Sequence, residues 1–163
     1  PQGLEVLGGD AVVEGWKLRA RSQFPTVRLA GVSVGPGTAA DRGRWFYEVT
    51  LLTEGLMQIG WADAHFACDP VRGQGVGDHA HSWAYDGYRQ KRWSVSSGPY
   101  GARWRRGDVI GVLADLDLVE LRFYVNGEDQ GPAFAGLRAR GGLFPAASLN
   151  AGQALRFNFG QAE

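Results

Sequence analysis

The sequence predicts an all-β domain, a sandwich or a barrel, and three observations carry that reading. Twenty-five glycines are scattered at short intervals along 163 residues. Between them lie brief runs in which apolar and polar residues alternate, the two-residue period of a strand with one face buried and one wetter. No segment carries an amphipathic helical pattern of three turns.

The clearest strand covers residues 119–125, where Leu121, Phe123 and Val125 share one face and Glu120, Arg122 and Tyr124 the other. Asn126-Gly127 follows, and both residues tolerate the positive φ of a tight hairpin, so the chain should turn back into a short strand near Gln130. Leu155, Phe157 and Phe159 alternate with Arg156 and Asn158, as Trp45, Tyr47, Val49 and Leu51 do with Phe46, Glu48 and Thr50. Residues 109–116 are nearly all apolar until Asp115, which reads as a central strand covered on both faces, with Gly107-Asp108 favouring strand over buried helix. A short helical turn is expected near Pro70 or over residues 133–137. Residues 32–41 read as a mobile glycine-rich loop. Residues 66–81 form the longest stretch with little strand character, a length at which loops in a compact domain are often functional.

A length of 163 residues fits one domain, with neither linker nor internal repeat. It suffices to bury about 70% of the unfolded surface without disulfide or metal. At 12% aromatic and 44% hydrophobic the chain is a folding one. No stretch approaches the roughly 20 apolar residues of a membrane-spanning helix, and no signal peptide opens the chain. It begins Pro1-Gln2-Gly3 without methionine, so a domain excised from a larger protein is expected. Seventeen basic residues balance seventeen acidic ones, without the basic surplus that nucleic-acid binding usually requires. Cys68 is the sole cysteine, which fits a reducing compartment, and a cytoplasmic or nuclear setting is expected.

Several residues invite a chemical reading. Asp115 and Asp117, with Glu120 nearby, are carboxylates that a strand would place on one face about 6–7 Å apart, near glycosidase spacing. A strand end before a turn also carries Asp for backbone bonding, and that reading is preferred. Asp78, His79 and His81 resemble part of a metal cluster that His65, Cys68 and Asp69 would complete if the long loop folded back. Loop histidines are more often solvated, so no metal or cofactor is assigned. Residues 73–78 lack both the phosphate-loop pattern and a calcium repeat, leaving their glycines to serve close backbone approach. Cys68 reads as an unreactive thiol, and no catalytic residue is assigned.

The order of motifs resembles the SPRY domain family. Arg44-Trp45-Phe46-Tyr47-Glu48-Val49 is similar to its tryptophan–tyrosine–glutamate strand, and Met57-Gln58-Ile59-Gly60-Trp61 to the next. Gly75-Val76-Gly77-Asp78 leading into Ser82-Trp83-Ala84-Tyr85-Asp86-Gly87 resembles the central signature. Leu143-Phe144-Pro145-Ala146-Ala147-Ser148 resembles the penultimate strand and residues 155–160 the last. The match runs over about residues 10–161, within a single domain of residues 1–163. It is nearest to the SPRY domains of RING-finger ubiquitin ligases, with ryanodine-receptor and Ran-binding-type SPRY domains also similar.

The resemblance implies a sandwich of two antiparallel β-sheets with little helix, and a non-catalytic module that binds a protein or short peptide through rim loops. In a ubiquitin ligase that role is recruitment of a substrate or partner. It implies neither nucleic acid nor membrane as partner, and a monomeric isolated domain. Three places would line the pocket: Arg21, Gln23, Phe24 and Pro25 in one loop, Arg72 in a second, Asn150 and Ala151 in a third. Peptide-binding members place a bulky aromatic where Ala151 stands, so their asparagine-rich specificity does not carry over.

A second surface competes with the rim. Arg89, Lys91, Arg92, Arg103, Arg105 and Arg106 cluster in sequence around Trp93, Tyr100 and Trp104, the composition of a protein-binding hot spot that would take an acidic segment. The bland alternative is that Trp93 and Trp104 belong to the core and the arginines solvate strand edges. An intramolecular structural role within a large channel or scaffold, and a lectin-like or hydrolytic sandwich, are the rival functions.

Overall fold

Alternation becomes two stacked sheets in the computed structural model, which describes residues 3–160. The strands are β1 (Gly3–Gly8), β2 (Ala11–Glu14), β3 (Lys17–Ala20), β4 (Thr26–Ala30), β5 (Arg44–Leu51), β6 (Met57–Asp63) and β7 (Ser82–Asp86). They continue as β8 (Lys91–Ser94), β9 (Ser96–Pro99), β10 (Val109–Asp115), β11 (Glu120–Val125), β12 (Glu128–Ala135), β13 (Leu143–Leu149) and β14 (Ala154–Asn158). Seven strands form one sheet in the order β1-β4-β13-β6-β7-β8-β9, and seven form the other in the order β12-β11-β10-β5-β14-β3-β2. All pairings are antiparallel. The expected sandwich is therefore the architecture. Among the described residues the sole helical element is a single 3-10 turn, Pro70–Arg72, at one of the two places expected.

The hairpin at Asn126-Gly127 forms as the residues dictate. Their φ values of 50° and 82° bring Val125 opposite Glu128. The returning strand β12 is longer than expected and runs through Ala133, so residues 133–135 are strand rather than helical turn. Tyr47, Val49 and Leu51 point into the sandwich, but Trp45, expected on the same face, is 40% exposed and its Nε1 donates to the Arg42 carbonyl at 2.8 Å.

Aromatic residues dominate the core. Tyr47 meets Trp61 edge-on at 5.2 Å, and Tyr85 meets Trp104 at 5.0 Å. Edge-to-face packing of this kind contributes beyond the area it buries. Gly60 has no room for a side chain, since a Cβ there would collide with the Trp83 carbonyl. That absence lets β6 and β7 approach.

Strands β6 and β7 are buried along their whole length, and the reason lies outside the sandwich. The long connection between them folds back over the outer face of the first sheet. Val76, fully buried, packs there against Ala62, Ala84 and Ala146, with Phe66 and Trp93 at the margin. Strand β10 differs: its outward residue Gly111 lies beneath the Phe46 ring and beside the Tyr124 Cβ, not beneath a second layer.

Candidate protein-binding rim

Hydrogen bonds gather three connections at one end of the sandwich, and a fourth packs beside them. Arg21 and Ser22 donate their N–H groups to the Asp10 carbonyl at 2.9 and 3.2 Å, and Asp10 N–H returns a bond to the Ser22 hydroxyl at 2.9 Å. The β3–β4 loop is thereby tied to the β1–β2 turn. Ala20 N–H donates to Gln153 and Gly152 N–H to Ala20, both at 2.9 Å, which ties β3 to the β13–β14 turn. The β6–β7 loop arrives through Gly73, beside which the Gln23 amide nitrogen lies within 3.2 Å of where a Cβ would stand. Asp69 fixes the short turn carrying Arg72 by accepting from Arg72 N–H at 3.3 Å.

Arg21, Gln23, Arg72, Asn150 and Ala151 are all exposed on these loops. Phe24 and Pro25 are not. Phe24 is 3% exposed, held with φ of 47°, its ring edge 2.9 Å from the position of a Gly75 Cβ. Pro25 is buried with its ring 2.8 Å from where a Gly9 Cβ would lie. The expectation that these two side chains line the pocket is corrected: they are the floor on which the loops rest. An apolar residue in a loop between short strands has two fates, contact or support, and the covering turn selects the second.

The arginines of the rim are loosely engaged. Arg21 pairs with Asp10 at 3.8 Å and Arg72 with Asp69 at 3.6 Å, with side-chain exposures of 62% and 77%. Exposed pairs of this sort contribute about 0–1 kcal/mol, so exchange to a partner carboxylate costs little.

The second surface does not assemble as one patch. Trp104 is fully buried and its Nε1 donates to the Gly55 carbonyl at 3.1 Å, so its place as a contact residue is corrected. Tyr100 is half-buried, donating to Gly131 O at 2.6 Å and accepting from Phe123 N–H at 3.3 Å. Arg89 stacks over Trp93 at 4.9 Å while binding the Asp86 carboxylate at 2.5 Å and Gln58 Oε1 at 3.0 Å. Arg92, adjacent to Trp93 on a strand, points to the opposite face and donates to Ala133 O at 2.7 Å.

The residues with chemical promise serve the backbone. Asp115 Oδ1 accepts from the N–H groups of Asp117 and Leu118, at 3.1 and 3.0 Å, and its other oxygen lies 3.5 Å from Arg44. Asp117 accepts from Gly43 N–H at 3.1 Å, and Glu120 pairs with Arg122 at 2.9 Å. Asp78 accepts from Gly75 N–H at 2.8 Å and from Gln58 Nε2 at 3.1 Å. His81 bonds the fully buried Asp63 carboxylate at 2.8 Å, with the His65 and His79 rings 5.4 and 5.5 Å away. Among the described residues no three of these groups are placed to hold a metal ion. Half-buried Cys68 has its sulfur 2.7 Å from where a Gly8 Cβ would stand.

Sequence reasoning missed the network in which exposed Arg89 reaches buried Gln58 and Asp86. Its only signal was a glutamine and an aspartate within otherwise apolar strands. A two-sheet sandwich whose connections meet at one rim, with its carboxylates absorbed in turns and ion pairs, has the architecture of an interaction module. The SPRY domain model matches residues 44–162, and the chain belongs to the SPRY family, whose domains bind proteins. It is also 45% identical over 122 residues to the E3 ubiquitin-protein ligase RKP of Arabidopsis thaliana. That alignment covers 73% of this chain and 9% of the ligase, so the chain spans a small part of its relative.

Proposed function

We propose that this domain recruits a substrate or partner protein, or a short peptide of one, to a ubiquitin ligase through the rim carrying Arg21, Gln23, Arg72, Asn150 and Ala151. It acts as a monomeric binding module in the cytoplasm or nucleus. The observation that carries the reading is the convergence of four connections on one end, three cross-tied by main-chain bonds of Asp10, Ala20 and Gln153 and the fourth packed against Gln23 at Gly73. A scaffold fixed in advance loses little ordering entropy on binding. The similarity to part of a ubiquitin ligase supports the setting.

Capture from cytosolic extract, by the domain and by an Arg72→Glu/Asn150→Arg variant of matched stability, tests it. Proteins held by the native domain and lost from the variant support recruitment at this rim. An unchanged set of proteins overturns the rim as the site. Capture of nothing overturns recruitment in favour of a contact within the parent chain.

A further inference from the structure

At the open edge of the sandwich, strands β8 and β9 of the first sheet face β12 of the second across a slot of about 320 Å³. Strand pairing sets what enters it. Arg92 lies opposite Gly98 and Ser94 opposite Ser96, and both pairs line the slot with Ser97. A sandwich edge ordinarily presents apolar residues inward. Here that side of the edge carries Arg92 and Ser96, both exposed, with half-buried Ser94 and Gly98.

The arginine is held in place. Its Nη1 donates to Ala133 O at 2.7 Å, and its guanidinium carbon lies 6.0 Å over the Phe134 ring. Gly98 makes room for the rest, since a Cβ there would sit 3.3 and 3.6 Å from Arg92 Nε and Nη2. Those two nitrogens have no acceptor in the described protein, and Arg92 forms no ion pair there. The Ser94, Ser96 and Ser97 hydroxyls likewise make no hydrogen bond within it. No carboxylate lines the slot, and Trp83, Phe134 and Leu137 supply an apolar wall.

We propose that this slot binds a phosphoryl group carried on a serine or threonine side chain of a partner peptide. Arg92 supplies the forked cation and the Ser94 and Ser96 hydroxyls, on the same face of the paired strands, supply neutral donors. A tetrahedral dianion with three acceptor oxygens matches that donor set better than a carboxylate with two. The site is separate from the rim and does not rest on it. Inward charge at a sheet edge also discourages edge-to-edge pairing. That role alone predicts an Arg92 variant that associates, with no anion affinity to lose.

The test is a ¹⁵N-resolved NMR titration of the whole chain with a blocked Gly-phosphoserine-Gly tripeptide, its unphosphorylated counterpart and inorganic phosphate. The phosphorylated tripeptide should shift the amides of Ser94, Ser96 and Gly98, and the unphosphorylated one should not. Arg92→Gln and Ser94→Ala/Ser96→Ala should each weaken binding at least about tenfold, the loss expected from removing charge-assisted or multiple donors. The serine variant keeps the native melting midpoint, so its loss is not one of folding. Arg72→Glu/Asn150→Arg leaves this binding intact. Inorganic phosphate binding as tightly as the tripeptide overturns the peptide-borne source, and no shift at the slot with any ligand overturns the site.

Discussion

The Ser148 hydroxyl accepts the backbone N–H of Val76 at 2.9 Å, joining the penultimate strand to the loop that covers the first sheet. The same oxygen lies 2.7 Å from Thr26 Oγ1, and all three residues are fully buried. One hydroxyl thus links β13, β4 and the loop bearing Arg72.

Ser148→Ala leaves the Val76 N–H buried without an acceptor. It should cost about 1–3 kcal/mol, the penalty for an unsatisfied buried donor. Urea denaturation should show a lower midpoint at constant slope, and hydrogen exchange should show lost protection at Val76. Gly75→Ala attacks the same junction by overlap, because its Cβ would collide with the Ser148 side chain and lie 2.9 Å from Phe24. A cost of about 1–3 kcal/mol is expected.

Arg89→Met removes the cation from Asp86, whose side chain is fully buried. Two N–H groups, those of Tyr88 and Arg89, still serve one carboxylate oxygen, at 3.0 and 2.9 Å. The expected loss is about 2–3 kcal/mol, less than for a wholly abandoned buried charge. A midpoint unchanged in denaturant would show that Asp86 is satisfied without its arginine.

Alkaline pH should weaken the fold through Tyr47. Burial raises its hydroxyl far above the ordinary tyrosine range, and it donates to the Gly60 carbonyl. Burial likewise raises Tyr85 and Tyr100, with the neighbouring negative groups adding to the effect at Tyr85. A folded-state value above the unfolded one means that the unfolded chain releases its proton first. Stability is therefore full below about pH 10 and falls as pH rises beyond it. The slope for Tyr47 alone is about 1.4 kcal/mol per pH unit. Denaturation at pH 8, 10 and 11 measures it, and Tyr47→Phe should flatten the fall.

Rim substitutions should spare the fold. Arg72 and Asn150 are exposed, and Arg72 holds only a 3.6 Å pair. The Arg72→Glu/Asn150→Arg variant should keep its unfolding free energy within about 0.5 kcal/mol of native, as surface changes do. A larger loss would show that these side chains hold the loops together and would disqualify the variant as a binding test.

The hairpin at Asn126-Gly127, the alternation of Leu121, Phe123 and Val125, and the turn at Pro70 were legible in the sequence because each is local. A two-residue side-chain period and a positive φ are properties of neighbouring residues. The order of glycine and aromatic motifs identified the family by the same short-range regularities. Which of two adjacent residues faces inward was a different matter. Arg92 and Trp93 must lie on opposite faces of β8, yet the apolar one lies outside the sandwich and the charged one within its edge. The loop containing Val76 creates a second apolar layer outside the first sheet, and that layer accepts Trp93. Phe24 and Pro25 went beneath the rim, and Trp104 into the core, for the same reason. Burial is set by contacts between segments distant in sequence, so composition and spacing determined the sheets and the turns. Only the packing of loops on sheets decided which side chains a partner can reach.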